Sequence, residues 1–354
     1  MRREGAAVVL AIAAALVPLP PPLVERWYST GLYPRIQAVV TPVTNRVPFA
    51  LLDAAVAVLV VFFAARLVAR VRRRGWRAAL LGFAGSLIVS AAIVYLFFLA
   101  VWGLNYRRVP LERKLDYARA RVTRAGVVDL ANRSVTLANS GYPTARAAVP
   151  DERLLAEAFA SAQRGLGARH SAVPGVPKRS LLSLYFRRAA IDGMTDPIFL
   201  EIILNPDVLR FERPFVLAHE WAHLAGYADE SEANFIAWLT CTKGDALARY
   251  SGAIAAYGRA MAALPRADRV TVAPLDEGPR ADLRAIAARY ERSSPVVRHA
   301  AREVYDTYLR ANRVEEGIAS YDAVLRLIVG SRFDEGGNPR LRQKQGSLLL
   351  LDEG

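Results

Sequence analysis

The chain has 354 residues with a mean hydropathy of +0.17, and 53% of its residues are hydrophobic. This is too apolar for an ordinary soluble enzyme, and because the apolar residues concentrate in the first third, the composition indicates a membrane protein. The net charge of +14 comes from scattered arginines with no basic-aromatic module, which excludes nucleic acid as the expected partner, and the single cysteine, Cys241, permits no internal disulfide and is expected to be buried.

The N-terminus combines a basic start with a short apolar stretch. Arg2 and Arg3 precede an apolar run at 6–17 and a proline cluster at 18–22. A cleaved secretory signal has the same layout, but no small-x-small cleavage site follows, and Leu23 and Val24 extend the apolar run. We therefore expect a retained first span at about 6–24, with the cleaved signal as the alternative.

Two further apolar stretches predict a second span at about 48–68 and a third at about 78–104. Between the first two spans, Trp27, Tyr28 and Tyr33 are residues typical of the membrane interface. Asp53 stands near the start of the second span, where a carboxylate is costly in lipid, so we expect it near headgroups or against other helices. Residues 1–106 therefore form a predicted membrane domain of three transmembrane helices.

Arginine predicts the orientation of these spans. The connection between the first two spans holds only Arg26, Arg35 and Arg46. The connection between the second and third is richer, with Arg66, Arg70, Arg72, Arg73, Arg74 and Arg77. Since arginine-rich loops stay inside, the N-terminus is expected in the cytoplasm, and everything after Tyr106 outside the cytoplasmic membrane.

Residues 107–330 have the composition of a folded domain. Helical spacing predicts helices at 115–139, 152–166, 244–264, 279–291, 294–312 and 317–329, with a break at 140–143 and a loop at 265–278. Branched and aromatic residues predict strands at 180–186 and 197–204. A free strand edge there would hold an extended peptide, and an ordinary sheet strand without a ligand is the alternative. Residues 331–354 are expected to be disordered apart from 348–351. The predicted fold class is mainly α with a small β-sheet (α+β).

The main candidate for chemistry is the sequence His219-Glu220-Trp221-Ala222-His223. On a helix, His219 and His223 lie one turn apart on the same face, so both imidazoles can reach one metal ion. Glu220 is turned aside, where it can take a proton from an attacking water without ligating the metal. The alternative is that the histidine pair is simply part of a buried helix face.

The residues that follow supply candidates for a third ligand. Gly226 suits a left-handed helix end, and Asp229 reads as the N-cap of a second helix. Glu230 is the expected third ligand, and Glu232, on another side of that helix, is the less favoured one. Asn234, one turn after Glu230, is expected to bond the far nitrogen of a ligating histidine.

The pattern His-Glu-x-x-His followed by Glu-x-x-Ala-Asn resembles the glutamate-ligand zinc peptidases (gluzincins). The resemblance implies that Glu230 is the third zinc ligand. Two features depart from that family. Asn234 stands where many members have Asp, and the gap between His223 and Glu230 is shorter than usual.

More closely, the chain resembles the bacterial membrane-protein family called domain of unknown function 3810. The resemblance implies a zinc-peptidase-like fold but names no substrate. Met194-Thr195-Asp196-Pro197 departs from it, since an aromatic-rich turn is expected there. The residues that carry it are Val24-Glu25-Arg26-Trp27-Tyr28-Ser29, Tyr33-Pro34, Val47-Pro48-Phe49, Trp102-Gly103-Leu104-Asn105-Tyr106, the metal motif through Phe235, Arg249-Tyr250-Ser251-Gly252, Tyr308-Leu309, Asn312, Gly317 and Ser320-Tyr321.

The sequence thus predicts a membrane-anchored zinc metallopeptidase that holds one Zn²⁺ per chain and cuts a peptide or protein substrate, with Glu220 as the general base. The alternatives are a non-catalytic zinc-containing membrane module that binds peptides or partner proteins, and cleavage within the bilayer, which the acidic residues beside the metal motif disfavour. The oligomeric state stays open. Candidate oxyanion donors are Tyr305, Tyr308, Tyr321 and His299.

Overall fold

The computed structural model describes residues 2–312 and 323–342. This part of the chain is mainly helical with one small mixed sheet, which confirms the predicted fold class at this level. The α-helices are α1 (Arg2–Leu16), α2 (Pro21–Leu23), α3 (Tyr33–Thr44), α4 (Leu51–Arg74), α5 (Trp76–Val101), α6 (Leu111–Lys114), α7 (Arg124–Ala147), α8 (Glu152–Gly165), α9 (Ser183–Ala189), α10 (Arg213–Leu224), α11 (Glu230–Lys243), α12 (Ala246–Ala263), α13 (Arg266–Arg269), α14 (Glu277–Glu291), α15 (Pro295–Ala311) and α16 (Ala323–Gly330). A π-helix joins α2 to α3 at Val24–Leu32, and short 3₁₀ turns lie at Gly103–Arg107 and Arg119–Arg121.

Two helices, α4 and α5, are long and apolar enough to cross a membrane. The predicted first span is not one continuous helix, because α1 ends at Leu16, before the proline cluster that cannot continue it. The helical stretches Gly5–Leu16 and Pro21–Thr44 meet at a bend of 110°, and they make a third span only if the bent pair counts as one.

The segment after this bend is part of the folded domain. Tyr33, Gln37 and Thr41 recur every four residues, so they share one face of α3, and all three are buried. The Tyr33 hydroxyl donates to the Leu224 carbonyl at 2.6 Å, and the Thr41 hydroxyl donates to the Leu200 carbonyl at 3.1 Å. The interfacial position predicted for Tyr33 is therefore wrong, because its ring is packed in protein.

The ends of the apolar helices lie against this domain. The Arg107 guanidinium bonds the Ala14 carbonyl at 2.7 Å, which brings the end of α1 to the end of α5. At the start of α4, Asp53 accepts hydrogen bonds from the Ser180 hydroxyl at 2.9 Å and the Leu181 N–H at 2.7 Å. Asp53 thus bonds the turn that precedes α9, whereas the sequence led us to expect headgroups or other helices around it.

The sheet has the strand order β1-β3-β2, with β1 (Pro177–Lys178) parallel and β2 (Gly193–Asp196) antiparallel to β3 (Glu201–Leu204). The strand predicted at 197–204 forms only in its second half. The Asp196 carboxylate accepts the N–H groups of Ile198 and Phe199 at 3.0 and 3.1 Å, which holds the first half in a turn. Because β3 is central, β2 is the edge strand beside α10, the helix that carries the metal motif. The resemblance led us to expect a turn in the place of β2.

The strand predicted at 180–186 is wrong, because this stretch contains α9. Helical spacing places Phe186 and Ala189 on one face, and both are buried, Phe186 in a cluster with Ala50 and Ile203. The Ser183 hydroxyl also bonds the Ser180 carbonyl at 2.8 Å, closing the first turn.

The break predicted at 140–143 is also wrong, since α7 continues through Pro143 to Ala147. Extensive packing on α12 holds the helix together: Ala138 before this stretch and Ala145 after it are both buried in the shared core. The helix predicted from 115 begins only at Arg124, because Leu115 and Tyr117 form β-bridges with Leu341 and Ser331.

These bridges correct the prediction of a disordered tail for residues 331–342, which pair with the start of the domain. Residues 348–351 lie outside the described residues, and so does the first part of the helix predicted at 317–329. Helices α8, α12, α14 and α15 follow the predicted boundaries within a few residues, while the short helix α13 lies in the predicted loop. Cys241 is buried, as expected.

Candidate metal centre

The metal motif lies at the turn between α10 and α11, and the local sequence explains that turn. Helix α10 ends before Gly226, whose φ of +84° is the left-handed conformation expected there. A Cβ at this position would also lie 2.9 Å from the Tyr33 ring, so both conformation and space require glycine. Asp229 then caps α11, accepting the N–H groups of Ser231 and Glu232 at 2.8 and 3.2 Å.

The turn brings His219, His223 and Glu230 together, with their ligand atoms all within 4.8 Å of one another. The two Nε2 atoms are 3.1 Å apart. Glu230 Oε2 lies 3.3 Å from His219 Nε2, and Glu230 Oε1 lies 3.5 Å from His223 Nε2. This is the side-chain convergence that the spacing predicted.

Glu230 is buried, and burial alone would raise the pKa of its carboxyl. The two neighbouring imidazoles outweigh burial and hold that pKa well below its usual range. The Tyr305 hydroxyl, from α15, donates a hydrogen bond to Glu230 Oε1. Glu230 therefore stays an anion with one oxygen oriented by a phenol, as suits a metal ligand.

Glu220 faces the cluster from the side of the sheet. Its Oε2 accepts the Thr195 hydroxyl of β2 at 2.8 Å, and Gly193 leaves room for its Oε1. Glu220 is buried, and burial raises its pKa although His219 and His223 oppose the rise. A raised pKa brings a carboxylate closer to the value that suits a general base at neutral pH.

His223 is held at both its ring and its backbone. Its Nδ1 lies 2.8 Å from the Tyr227 carbonyl, which fixes Nδ1 as the protonated nitrogen and turns Nε2 to the cluster. The Trp102 indole N–H donates to the His223 carbonyl at 2.9 Å. Burial alone would lower the pKa of His223, but the Glu230 carboxylate outweighs burial and raises this pKa to about 9.

Asn234 does not bond a histidine, which corrects the prediction. Its amide N–H donates to the Glu230 carbonyl at 2.8 Å, and its Oδ1 accepts from Arg259 at 2.6 Å. The Tyr227 carbonyl has the role expected of Asn234, because the left-handed turn at Gly226 brings that carbonyl back over the end of α10.

The other candidates differ in position. Glu232 points away from the cluster and accepts the Leu111 N–H at 2.6 Å, while burial raises its pKa to about 7. Tyr308 stacks on the ring of Tyr305, with centroids 6.1 Å apart. His299 is 76% exposed and pairs with Glu303, so the structure does not bring it to the cluster.

Tyr321 lies outside the described residues, so its predicted role is untested. Sequence reasoning missed Gly193, Thr195, Trp102 and Tyr227. Gly193, Thr195 and Trp102 carry no local signal for this role, since they reach the site through contacts between distant parts of the chain, whereas the Tyr227 contact follows from the turn at Gly226.

A family model described as "Protein of unknown function (DUF3810)" matches residues 28–329. No curated protein and no solved structure matches the chain. The family model covers α3, both apolar helices α4 and α5, and the cluster of His219, His223 and Glu230, and it begins after α1 and the bend.

Proposed function

The chain belongs to the family of proteins of unknown function DUF3810, whose description names no activity, and we propose from the geometry of its site that it is a membrane-anchored zinc metallopeptidase. The observation that carries the proposal is the convergence of two imidazoles and one carboxylate beside a second, non-ligating carboxylate. This is the residue set of the gluzincins that the sequence resembles.

The cluster has the dimensions of a zinc site. Zinc bonds to histidine nitrogen and carboxylate oxygen are about 2.0–2.2 Å long, so ligand atoms at the corners of a tetrahedron lie about 3.3–3.5 Å apart. The two Nε2 atoms are 3.1 Å apart, and each imidazole lies 3.3 or 3.5 Å from one of the two oxygens of Glu230. Glu230 Oε2 is buried and receives no hydrogen bond from the described residues, as suits an atom that faces a cation.

Three protein ligands are the number that catalytic zinc sites use, since a structural site closes its fourth position with protein. Zinc held in this way supplies an activated water and polarises a carbonyl group. The residues of the chain supply the proton transfer. Thr195 holds Glu220 through Oε2, so Oε1 is left to take the proton of the attacking water and to pass it to the leaving amine.

A peptide substrate fits the edge strand. β2 is an edge strand of the sheet, and its Thr195 contacts Glu220 directly. An extended polypeptide that paired with β2 would run alongside Glu220. Its successive residues would be about 3.3 Å apart, so one of its peptide bonds would lie next to the carboxylate. Tyr305, bonded to the ligand Glu230, is the nearest of the proposed oxyanion donors that the structure describes.

We assign α4 and α5 as transmembrane helices and α1, the part of the bent N-terminal pair that precedes the folded domain, as the third span. The arginine-rich end of α4 is then cytoplasmic, and the metal domain is extracytoplasmic. The partners of the protein are accordingly the lipid bilayer and a peptide or protein substrate.

The test is Glu220→Gln in the full-length protein, purified in lipid nanodiscs and loaded with zinc. We expect wild type and variant each to hold about one zinc per chain by mass spectrometry. The variant should hydrolyse fluorescein-labelled casein at least about 100-fold more slowly, the lower range for loss of a general base. Equal hydrolysis would remove Glu220 from its role, and zinc binding without any hydrolysis by wild type would favour the non-catalytic module.

A further inference from the structure

The end of α5 forms part of the wall of the metal cluster. Trp102 follows α5 directly, and its indole bonds the His223 carbonyl at 2.9 Å. The two rings lie edge to face, with centroids 6.4 Å apart. One metal-ligand candidate is therefore in direct contact with the residue that ends the apolar helix.

A second connection reaches the cluster through α15. Phe98, in the last turn of α5, contacts the Tyr308 ring at 6.4 Å between centroids. Tyr308 stacks on Tyr305, whose hydroxyl bonds Glu230. The opposite face of the same turn of α5 is apolar and open, with Phe97 50% exposed. One helical turn thus separates a lipid-type surface from the aromatic wall of the site.

The sheet joins the site to the other apolar helix. The Ala50 N–H donates to the Arg179 carbonyl at 2.9 Å, so the residue before α4 extends the β1 side of the sheet. β2, whose Thr195 contacts Glu220, is two strand spacings from β1, or about 10 Å. Beside the first turn of α4, Leu181 is 84% exposed, an apolar side chain at the same end of the helix.

We infer that the site acts at the membrane surface, on polypeptide segments that directly flank a membrane anchor or a membrane span. This inference rests on the proposed peptidase function and on insertion of α4 and α5 in the bilayer. The residue that ends α5 contacts His223 directly, and α4 begins beside β1, which is two strand spacings, or about 10 Å, from β2. An extended chain covers about 10 Å in three residues, so the bond cut lies within roughly the first ten residues outside the bilayer.

The experiment measures where an anchored peptide is cut. The probe is an unstructured peptide with a lipid at one end and three identical mixed-sequence cassettes of about ten residues each. It is incubated with the zinc-loaded full-length protein in nanodiscs, and mass spectrometry reports the cleavage in each cassette. The same peptide without its lipid is the matched control, because it has the same cassettes in the same order and lacks only the attachment to the bilayer.

We expect the cassette next to the lipid to be cut at least tenfold faster than the most distant one, and the detached peptide to show no such gradient. Equal cutting of all three cassettes in the anchored peptide would overturn the inference and leave the peptidase proposal standing. Failure to cut either peptide, with zinc bound, would overturn both.

A second measurement does not use hydrolysis. Co²⁺ in place of zinc quenches nearby fluorophores, so headgroup-labelled lipids in the nanodisc report the distance of the site from the surface. We expect quenching with wild type and none with His219→Ala, which lacks a ligand. If wild type binds Co²⁺ without quenching, the site is far from the bilayer and the inference fails.

Discussion

Gly193 leaves the space that Glu220 needs, and Gly193→Ala is the sharpest test of this part of the site. An added Cβ would lie 2.7 Å from Glu220 Oε1 and 2.9 Å from a methyl group of Leu204. Ordinary contacts between such atoms begin near 3.4 Å, so the carboxylate must move by about 0.7 Å. The Thr195 hydrogen bond to the other oxygen resists that movement.

Gly193→Ala should lower the rate of hydrolysis and leave zinc binding unchanged. Misplacement of a catalytic group by about 1 Å costs about 100-fold in rate, so we expect hydrolysis to fall about 10- to 100-fold. Overpacking of a dense site should also lower the free energy of unfolding by about 1–3 kcal/mol. His219, His223 and Glu230 are not among the nearest contacts of the new methyl group, so zinc content should remain about one per chain.

The assay compares casein hydrolysis, zinc content and urea unfolding of the full-length protein in nanodiscs. Gly258→Ala is the matched control, because a Cβ there meets no atom within 4 Å in α12. The control should keep its hydrolysis and gain up to about 1 kcal/mol from the helix preference of alanine. Unchanged hydrolysis by Gly193→Ala would refute the position assigned to the Glu220 carboxylate, and loss of zinc would show that the glycine acts through the ligands instead.

Three further predictions concern the surroundings of the site. Trp102→Phe removes the donor to a buried carbonyl at the end of α10; it should lower the free energy of unfolding by about 1–3 kcal/mol and zinc affinity about tenfold, measured by urea unfolding and zinc titration. Glu230→Gln should lower zinc affinity at least about 100-fold in the same titration, whereas Glu232→Gln should keep it, because Glu232 bonds a backbone N–H outside the cluster. Burial raises the pKa of Asp196 to about 6, so the stability contributed by its carboxyl group is complete below about pH 4 and is lost as pH rises through 6. Relative to Asp196→Asn, the free energy of unfolding of the wild type should fall by up to about 3 kcal/mol between these two pH values, as measured by urea unfolding. Parallel pH profiles of the two proteins would contradict this.

The parts of the site that follow from the sequence are those set by spacing along the chain. A helix repeats every 3.6 residues, so His219 and His223 share a face. Gly226 favours the left-handed end of one helix, and Asp229 caps the start of the next. The structure shows all of these features, and it brings Glu230 to the histidines. Local rules sufficed here because the whole cluster lies within twelve residues of sequence.

The failures occur where distant packing decides the outcome. Residues 180–186 have strand-type composition, yet the core formed with Ala50 and Ile203 accepts Phe186 from a helix. Pro143 marks a helix end by composition, yet the contact of α7 with α12 maintains the helix beyond it. In both places local preference is worth about 1 kcal/mol per residue or a few for proline, and burial of several side chains exceeds that.

The support of the candidate metal ligands belongs to this second class. The prediction placed Asn234 on a histidine because one turn of helix separates it from Glu230, but the histidine had two closer partners from outside α11. Tyr227 reaches His223 by the backbone turn, and Trp102 reaches it from 121 residues away in sequence. Because the residue that ends α5 bonds its carbonyl, His223 cannot shift independently of that helix. The orientation of His223 is thus fixed jointly by a local turn and by the end of α5, and the metal motif itself contains information about only the first.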